Sequence, residues 1–143
     1  MPVPNTITRT LDLAHPIDRV WAALTTAEGL GGWFGDRAEI DLRAGGEALV
    51  HWPDGARARL WIQVVEPMSM FAWTWGIEGL PDQDPRRTYV EFTLTAMDSG
   101  TRLSVVETGF AQVGDESGAQ AYEANVGGWR SELGELREYL DAA

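Results

Sequence analysis

The chain has no cysteine and no lysine, only two histidines, and no apolar run long enough to cross a membrane. Without cysteine there are no disulfides, no thiolate nucleophiles and no zinc or iron–sulfur sites built on sulfur. Without lysine there is no Schiff-base chemistry and no phosphate-binding lysine of the Walker type. His15 and His51 stand far apart, so no metal site is expected. A membrane span needs about 20 consecutive apolar residues, so no membrane insertion is expected either. Positive charge is also scarce, with 11 basic against 22 acidic residues and a formal net charge of −11. Such a surface repels polyanions, and nucleic acid is excluded as an expected partner. No serine sits in a Gly-x-Ser-x-Gly elbow, and Gly29, Gly31 and Gly32 do not follow a strand. Triad hydrolysis and dinucleotide binding therefore lack sequence support, and no cofactor is expected. The opening segment lacks a basic stretch followed by an apolar one, which makes a cytoplasmic address the expectation.

What remains is an ordinary globular composition, 44% hydrophobic in 143 residues, which fits one domain over residues 1–143. Ile7, Leu11 and Leu13 share a parity that Arg9 interrupts, a strand with one face inward. His15-Pro16-Ile17-Asp18 then opens a helix, with proline suited to the first helical position and Asp18 at the positive end of the dipole. Thr25-Thr26-Ala27-Glu28 can cap a second short helix, expected to fail at the glycines before Trp33-Phe34. From Ala38 to Thr108, short runs between turn signals predict an antiparallel meander of about six strands. Val90, Phe92 and Leu94 alternate with polar residues, and Phe71, Trp73 and Trp75 share one face. In the following arm, parity carries Glu107 to the apolar side with Leu103 and Val105. The register of the strand with Trp61 and Gln63 stays open.

The last segment reads as a long helix. Tyr122, Val126, Trp129, Leu133, Leu136 and Leu140 recur at spacings of four and three, leaving Arg130, Glu132, Glu135, Arg137 and Glu138 for solvent. Leucines crowd its C-terminal turns, whereas the N-terminal turns carry Ala119, Ala121, Ala124 and the pair Gly127-Gly128. Mid-helix glycine costs about 1 kcal/mol, which is reasonable where another backbone or a bound molecule comes close.

Val20-Trp21 with Leu24-Thr25, Leu30 with Trp33-Phe34, Gly45-Gly46, Glu66-Pro67, Thr74-Trp75, Gly100-Thr101, Gly109-Phe110 and Gly128-Trp129 with Leu133 and Leu136 occur in an order that resembles the START-like (Bet v 1-like, SRPBCC) superfamily. Within it, the chain is most similar to the branch named for the activator of the Hsp90 ATPase. The resemblance runs from about Ile7 to Leu140. It implies an α+β helix-grip fold: a curved antiparallel sheet of about seven strands wrapped around a long C-terminal helix, with two short helices after the first strand. It also implies a cavity between helix and sheet, used in relatives for lipids, sterols, polyketides and other apolar molecules. The partner so implied is a small apolar molecule. A homodimer stays open, and a chaperone partner is not expected, since the eukaryotic activators carry an additional N-terminal domain.

The candidate ligand-binding residues are Trp33, Phe34, Trp73, Trp75, Phe92, Glu107, Phe110, Tyr122, Val126 and Trp129. Aromatic walls suit a flat or ring-containing ligand. Trp21 reads as plain core. Glu107 either reaches water or pairs with Arg102 or Arg130, or it faces the cavity and orients a ligand with Tyr122 as the opposing donor. In an alternative reading, Glu107 is the acid or base of a cyclase, aromatase or hydrolase; it is the weak catalytic candidate. A third reading is a module that stimulates a chaperone ATPase. His15 reads as a helix-start residue and His51 as solvent-facing. Glu78, Asp82 and Asp84 lack calcium-loop spacing and read as a solvated loop, with a mobile lid over the cavity as its expected use.

Overall fold

The computed structural model describes residues 5–77, 80–81 and 83–142. In chain order it contains β1 (Thr6–Leu13), α1 (Ile17–Thr25), α2 (Ala27–Trp33), β2 (Arg37–Ile40), β3 (Glu47–His51), β4 (Arg57–Glu66), β5 (Met70–Gly76), β6 (Arg87–Met97), β7 (Gly100–Thr108), α3 (Phe110–Val113) and α4 (Asp115–Ala142). The strands form one sheet in the order β1-β7-β6-β5-β4-β3-β2. Sequential hairpins build β2 to β7, and β1 joins from the other side, pairing Ile7 with Glu107 and Leu13 with Thr101. This is the α+β helix-grip fold.

Alternation decides which face is concave. Val90, Phe92 and Leu94 of β6 are buried, as are Leu103, Val105 and Glu107 of β7 and Phe71 and Trp73 of β5. The open register of β4 has a structural cause. Ile62 pairs with Trp73 but Val64 pairs with Ala72, so a bulge falls at Gln63. An extra residue inverts parity, and the strand that buries Leu60 and Ile62 before the bulge packs Val65 on the core after it. No single period fits that strand.

The elbow of α1 and α2 corrects two expectations. Pro16 is the residue before the helix, extended at φ −65° and ψ 154°, so α1 begins one residue later than its proline suggested. More importantly, α2 does not fail at its glycines but runs through them to Trp33. Thr26 caps it by accepting from the Gly29 N–H at 2.9 Å. A Cβ on Gly29 would sit 2.6 Å from the Ala22 and Ala23 carbonyl oxygens, and one on Gly32 would meet the Tyr139 ring at 2.3 Å. These glycines are required by close packing of α2 against α1 and α4, a tertiary demand that overrides propensity.

α4 lies along the concave side and buries Trp129, Leu133, Leu136 and Leu140, while its backbone comes close to α1, α2, α3 and β1. The short helix α3, absent from the sequence reading, is bracketed by Gly109 and Gly114 at φ 107° and 118°. It brings Phe110 into the core, and no helix among the described residues is long and apolar enough to cross a membrane.

Candidate functional site

Beneath the N-terminal half of α4 the grip does not close. A cavity of about 680 Å³ is walled there by Phe34 at the end of α2, Trp75 and Ile77 at the end of β5, Trp52 after β3, and Ala121, Ala124, Asn125, Gly128, Trp129 and Glu132 of α4. Phe34, Trp75 and Trp129 form one nearly parallel set, with centroids 5.8–6.0 Å apart and planes 18–28° from each other. Offset stacking of this kind holds ring orientations that a single apolar contact would leave free. Small residues on the helix create the space: a Cβ on Gly128 would meet nothing within 4 Å. The glycine pair is therefore not explained by a neighbouring backbone, one of the two reasons its position suggested.

Sheet geometry opens the cavity to solvent. The pairing of β4 with β5 begins at Leu60 with Trp75, so Arg57 to Arg59 pair only with β3 and border a notch. Accordingly, the wall includes inward-facing Ala58 together with Arg57, Arg59 and Trp61 from the opposite parity. Leu80, Pro81 and Gln83 of the β5–β6 loop supply the other rim. That loop is braced by Asp84, whose carboxylate takes three hydrogen bonds from Arg86 and is drawn down to about 2 by them. Arg86 also donates to the Val113 carbonyl at 3.1 Å, tying the loop to α3. Glu78 and Asp82, the other acids of this segment, lie outside the described residues.

Glu107 is fully buried. It does not reach water, and it pairs with neither arginine proposed for it: Arg102 instead holds Asp12 at 2.8 Å. Four neutral groups donate to its carboxylate. Trp129 Nε1 gives a hydrogen bond of 2.8 Å to Oε1, Trp75 Nε1 one of 2.8 Å to Oε2, Asn125 Nδ2 bonds of 3.0 Å to both oxygens, and the Thr88 hydroxyl one to Oε2. Burial of a carboxylate is costly unless its lone pairs are satisfied, and here donors from β5, β6 and α4 converge to satisfy them. Tyr122, the expected opposing donor, instead sets its ring edge-on against Phe110 at 5.5 Å. Asn125 takes that place. Because Trp75 and Trp129 present their rings to the cavity and their N–H groups to Glu107, the carboxylate lies behind the wall and does not line the cavity.

A different carboxylate does line it. Glu132 was assigned to solvent by the helical pattern, yet it is half-buried, its Oε2 is buried without a hydrogen-bond partner, and it forms part of the wall. Burial, reinforced by the negative field of Glu135 one turn away and by a hydrogen bond with that carboxyl, pushes it from the ordinary 4.5 up to about 8. The stripe Asn125, Gly128, Trp129, Glu132 at spacings of three and four was the signal, overlooked because it runs beside the apolar stripe rather than along it.

Of the candidates read from sequence, Phe34, Trp75 and Trp129 line the cavity. Trp33, Trp73, Phe92 and Phe110 are buried, Tyr122 and Val126 are half-buried, and none of these six borders it. Trp33 donates to the Ala23 carbonyl at 2.7 Å, while Trp73 Nε1 has no partner in its aromatic nest. Sequence reading missed Trp52 and Trp61, the latter covered by Arg87, whose Cζ stands 3.5 Å from the ring centroid. His15 joins the ends of the chain, meeting Asp141 at 2.7 Å and Arg19 at 3.0 Å. His51, expected in solvent, is half-buried, pairs in register with Arg37 and Arg57, and has its Nε2 without a partner among the described residues. Among the described residues no cluster of histidine and acid side chains could hold a metal ion.

Among curated proteins none matches this sequence. Among solved structures, protein MLL2253 from Mesorhizobium loti is 26% identical, with a TM-score of 0.81 over 96% of this chain and 98% of that one. CalU16 from Micromonospora echinospora is 27% identical, with a TM-score of 0.72 over 94% of this chain and 74% of that one. DynU16, a protein of the dynemicin biosynthetic locus, is 23% identical, with a TM-score of 0.79 over 96% of this chain, which spans about half of DynU16 (48%). The model of the family described as activator of Hsp90 ATPase homolog 1-like protein matches residues 14–141. With the helix grip and its hollow in place, that match completes the assignment: the chain belongs to the activator of Hsp90 ATPase homolog 1-like family, a START-like branch whose fold suits ligand binding.

Proposed function

We propose that this protein binds a small apolar or aromatic molecule in the cavity between α4 and the sheet. The observation that carries the reading is a hollow of about 680 Å³ walled by Phe34, Trp52, Trp61, Trp75 and Trp129. This volume falls within the range of about 300–1,000 Å³ common to small-molecule sites, and such sites are mostly apolar with a few placed polar groups. Burying even about 200 Å² of apolar ligand surface is worth roughly 5 kcal/mol before ordering costs. The place of DynU16 in a biosynthetic locus fits a small-molecule cargo for this fold. The acid–base reading of Glu107 gains no support, since its oxygens are taken by four protein donors behind the aromatic wall.

Titration of tryptophan fluorescence with naphthalene and anthraquinone derivatives tests the reading, alongside native mass spectrometry of freshly purified protein. Saturable quenching at micromolar concentration, weakened in Gly128→Leu, is the expected result. Quenching that is unsaturable, or indifferent to Gly128→Leu, overturns it.

A further inference from the structure

The cavity holds one polar feature that its apolar walls do not explain. Glu132 Oε2 is out of water without a partner among the described residues, no cation among them pairs with it, and the side chain's hydrogen-bond contact is with the carboxyl of Glu135, another acid. Its charged surroundings are few. Glu135 lies one turn on in α4, and Arg57 and Arg59 of β4 stand across the cavity at its solvent end, Arg59 already holding Glu47 at 3.3 Å. Phe34 from α2, Trp52 after β3, Trp75 and Ile77 from β5 and Gln83 from the loop complete the wall without a titratable group.

The aromatic faces around that oxygen are themselves prepared for positive charge. An indole face carries the negative part of the ring quadrupole and attracts cations. Trp75 and Trp129 each donate their N–H to the Glu107 carboxylate at 2.8 Å, and a hydrogen bond to a carboxylate pushes electron density back into the donor ring. Their faces border the cavity, while the carboxyl group that takes their N–H groups lies behind. The chain already seats a cation on an indole, Arg87 on Trp61 at 3.5 Å. The net charge of −11 draws cations toward the molecule as a whole.

We infer that the cavity selects a ring-bearing ligand with a protonated amine, its body stacked on Phe34, Trp75 and Trp129 and its ammonium placed between those rings and Glu132. This rests on the ligand-binding reading above and adds the chemical class. Glu132 is mostly protonated at pH 7, because burial has raised it to about 8. An ammonium favours the ionised carboxylate, so binding at pH 7 releases a proton from Glu132 to solvent. Affinity for amines accordingly rises as pH increases through 8, until the amine itself loses its proton.

Three matched probes test this: 2-naphthylmethylamine, 2-naphthylmethanol and 2-naphthoate, titrated by fluorescence and by calorimetry at pH 7 in two buffers of different ionisation enthalpy. Wild type binds the amine about tenfold or more tightly than the alcohol, and the naphthoate weakest. Buffer-dependent heats report release of close to one proton per amine bound. In Glu132→Gln, which replaces a mostly protonated acid by an amide of similar shape and is expected to fold, the amine preference falls to about twofold or less while the alcohol binds as before. Equal affinity for amine and alcohol, tighter binding of the naphthoate, or a preference untouched by Glu132→Gln overturns the inference and leaves the ligand-binding reading standing. If none of the three probes binds, both fail.

Discussion

The two halves of α4 face the same sheet with opposite results. In the C-terminal half Leu133, Leu136 and Leu140 are 5%, 0% and 1% exposed, packed over the core, and Gly32 lets α2 come so close that Tyr139 would strike a methyl group there. In the N-terminal half Ala121, Ala124 and Gly128 leave room, and the rings beyond them stop short of filling it. One helix thus works as a structural spine at one end and as a lid over a hollow at the other. The lesson is that side-chain volume along a single stripe decides where a domain is solid. The hollow also sets two acids apart, one on β7 and one on α4. Glu107, at the root of the hollow, is satisfied by four donors, whereas Glu132 in the wall has an oxygen with none.

That contrast can be broken most severely at Glu107. Glu107→Ala strands the Trp129 N–H and the Asn125 amide and leaves Trp75 only its bond to the Thr88 hydroxyl, and is expected to cost about 3–5 kcal/mol in urea-induced unfolding. A loss below about 1 kcal/mol would show that the four hydrogen bonds do not form a stabilising node. In the solid half, Leu136→Ala is expected to cost about 3 kcal/mol, since the residue is fully buried and its neighbours have no space to collapse into.

Glu132 gives the opposite sign. Its folded-state value of about 8 lies above the ordinary 4.5, so the folded protein binds more protons and the stability of wild type declines as pH rises between those values. Glu132→Gln should flatten that decline and gain on the order of 1–2 kcal/mol above pH 8, allowing for the water around a half-buried side chain. Thermal melts of both proteins across pH 5–9 check the slope. The smallest effect falls at Gly127 and Gly128, where an added methyl group meets nothing. Alanine at either position should stabilise the helix by about 0.5–1 kcal/mol, and at Gly128 it should also weaken ligand binding, separating stability from function.

Much of this architecture was legible in the chain. Period-2 alternation in Val90–Leu94 and Leu103–Glu107, and the spacing of four and three from Tyr122 to Leu140, depend on one buried face per element and survive in any correct packing. Parity also placed Glu107 inward. Where reading failed, a contact distant in sequence intervened: the bulge at Gln63 inverted a strand, and the approach of Ala22 and Tyr139 turned helix-breaking glycines into helix residues. The candidate site was less legible than the fold. Tryptophan content announced an aromatic interior, but which rings pack together and which border a void depends on how far apart four elements stand, and that distance is not encoded locally.

Periodicity by itself determined an antiparallel meander with a long helix across it and the inward faces of β6, β7 and α4, because these follow from hydrophobic burial averaged over many residues, and the order of motifs resembling a known family supplied the rest of the fold. Tertiary structure alone decided that Glu107 is a bound acceptor behind the wall, that Glu132 rather than Glu107 meets the cavity, and that the notch beside Arg57 opens it. The reason is physical: a hydrogen bond or a void depends on ångström separations between segments, to which a one-dimensional pattern is blind.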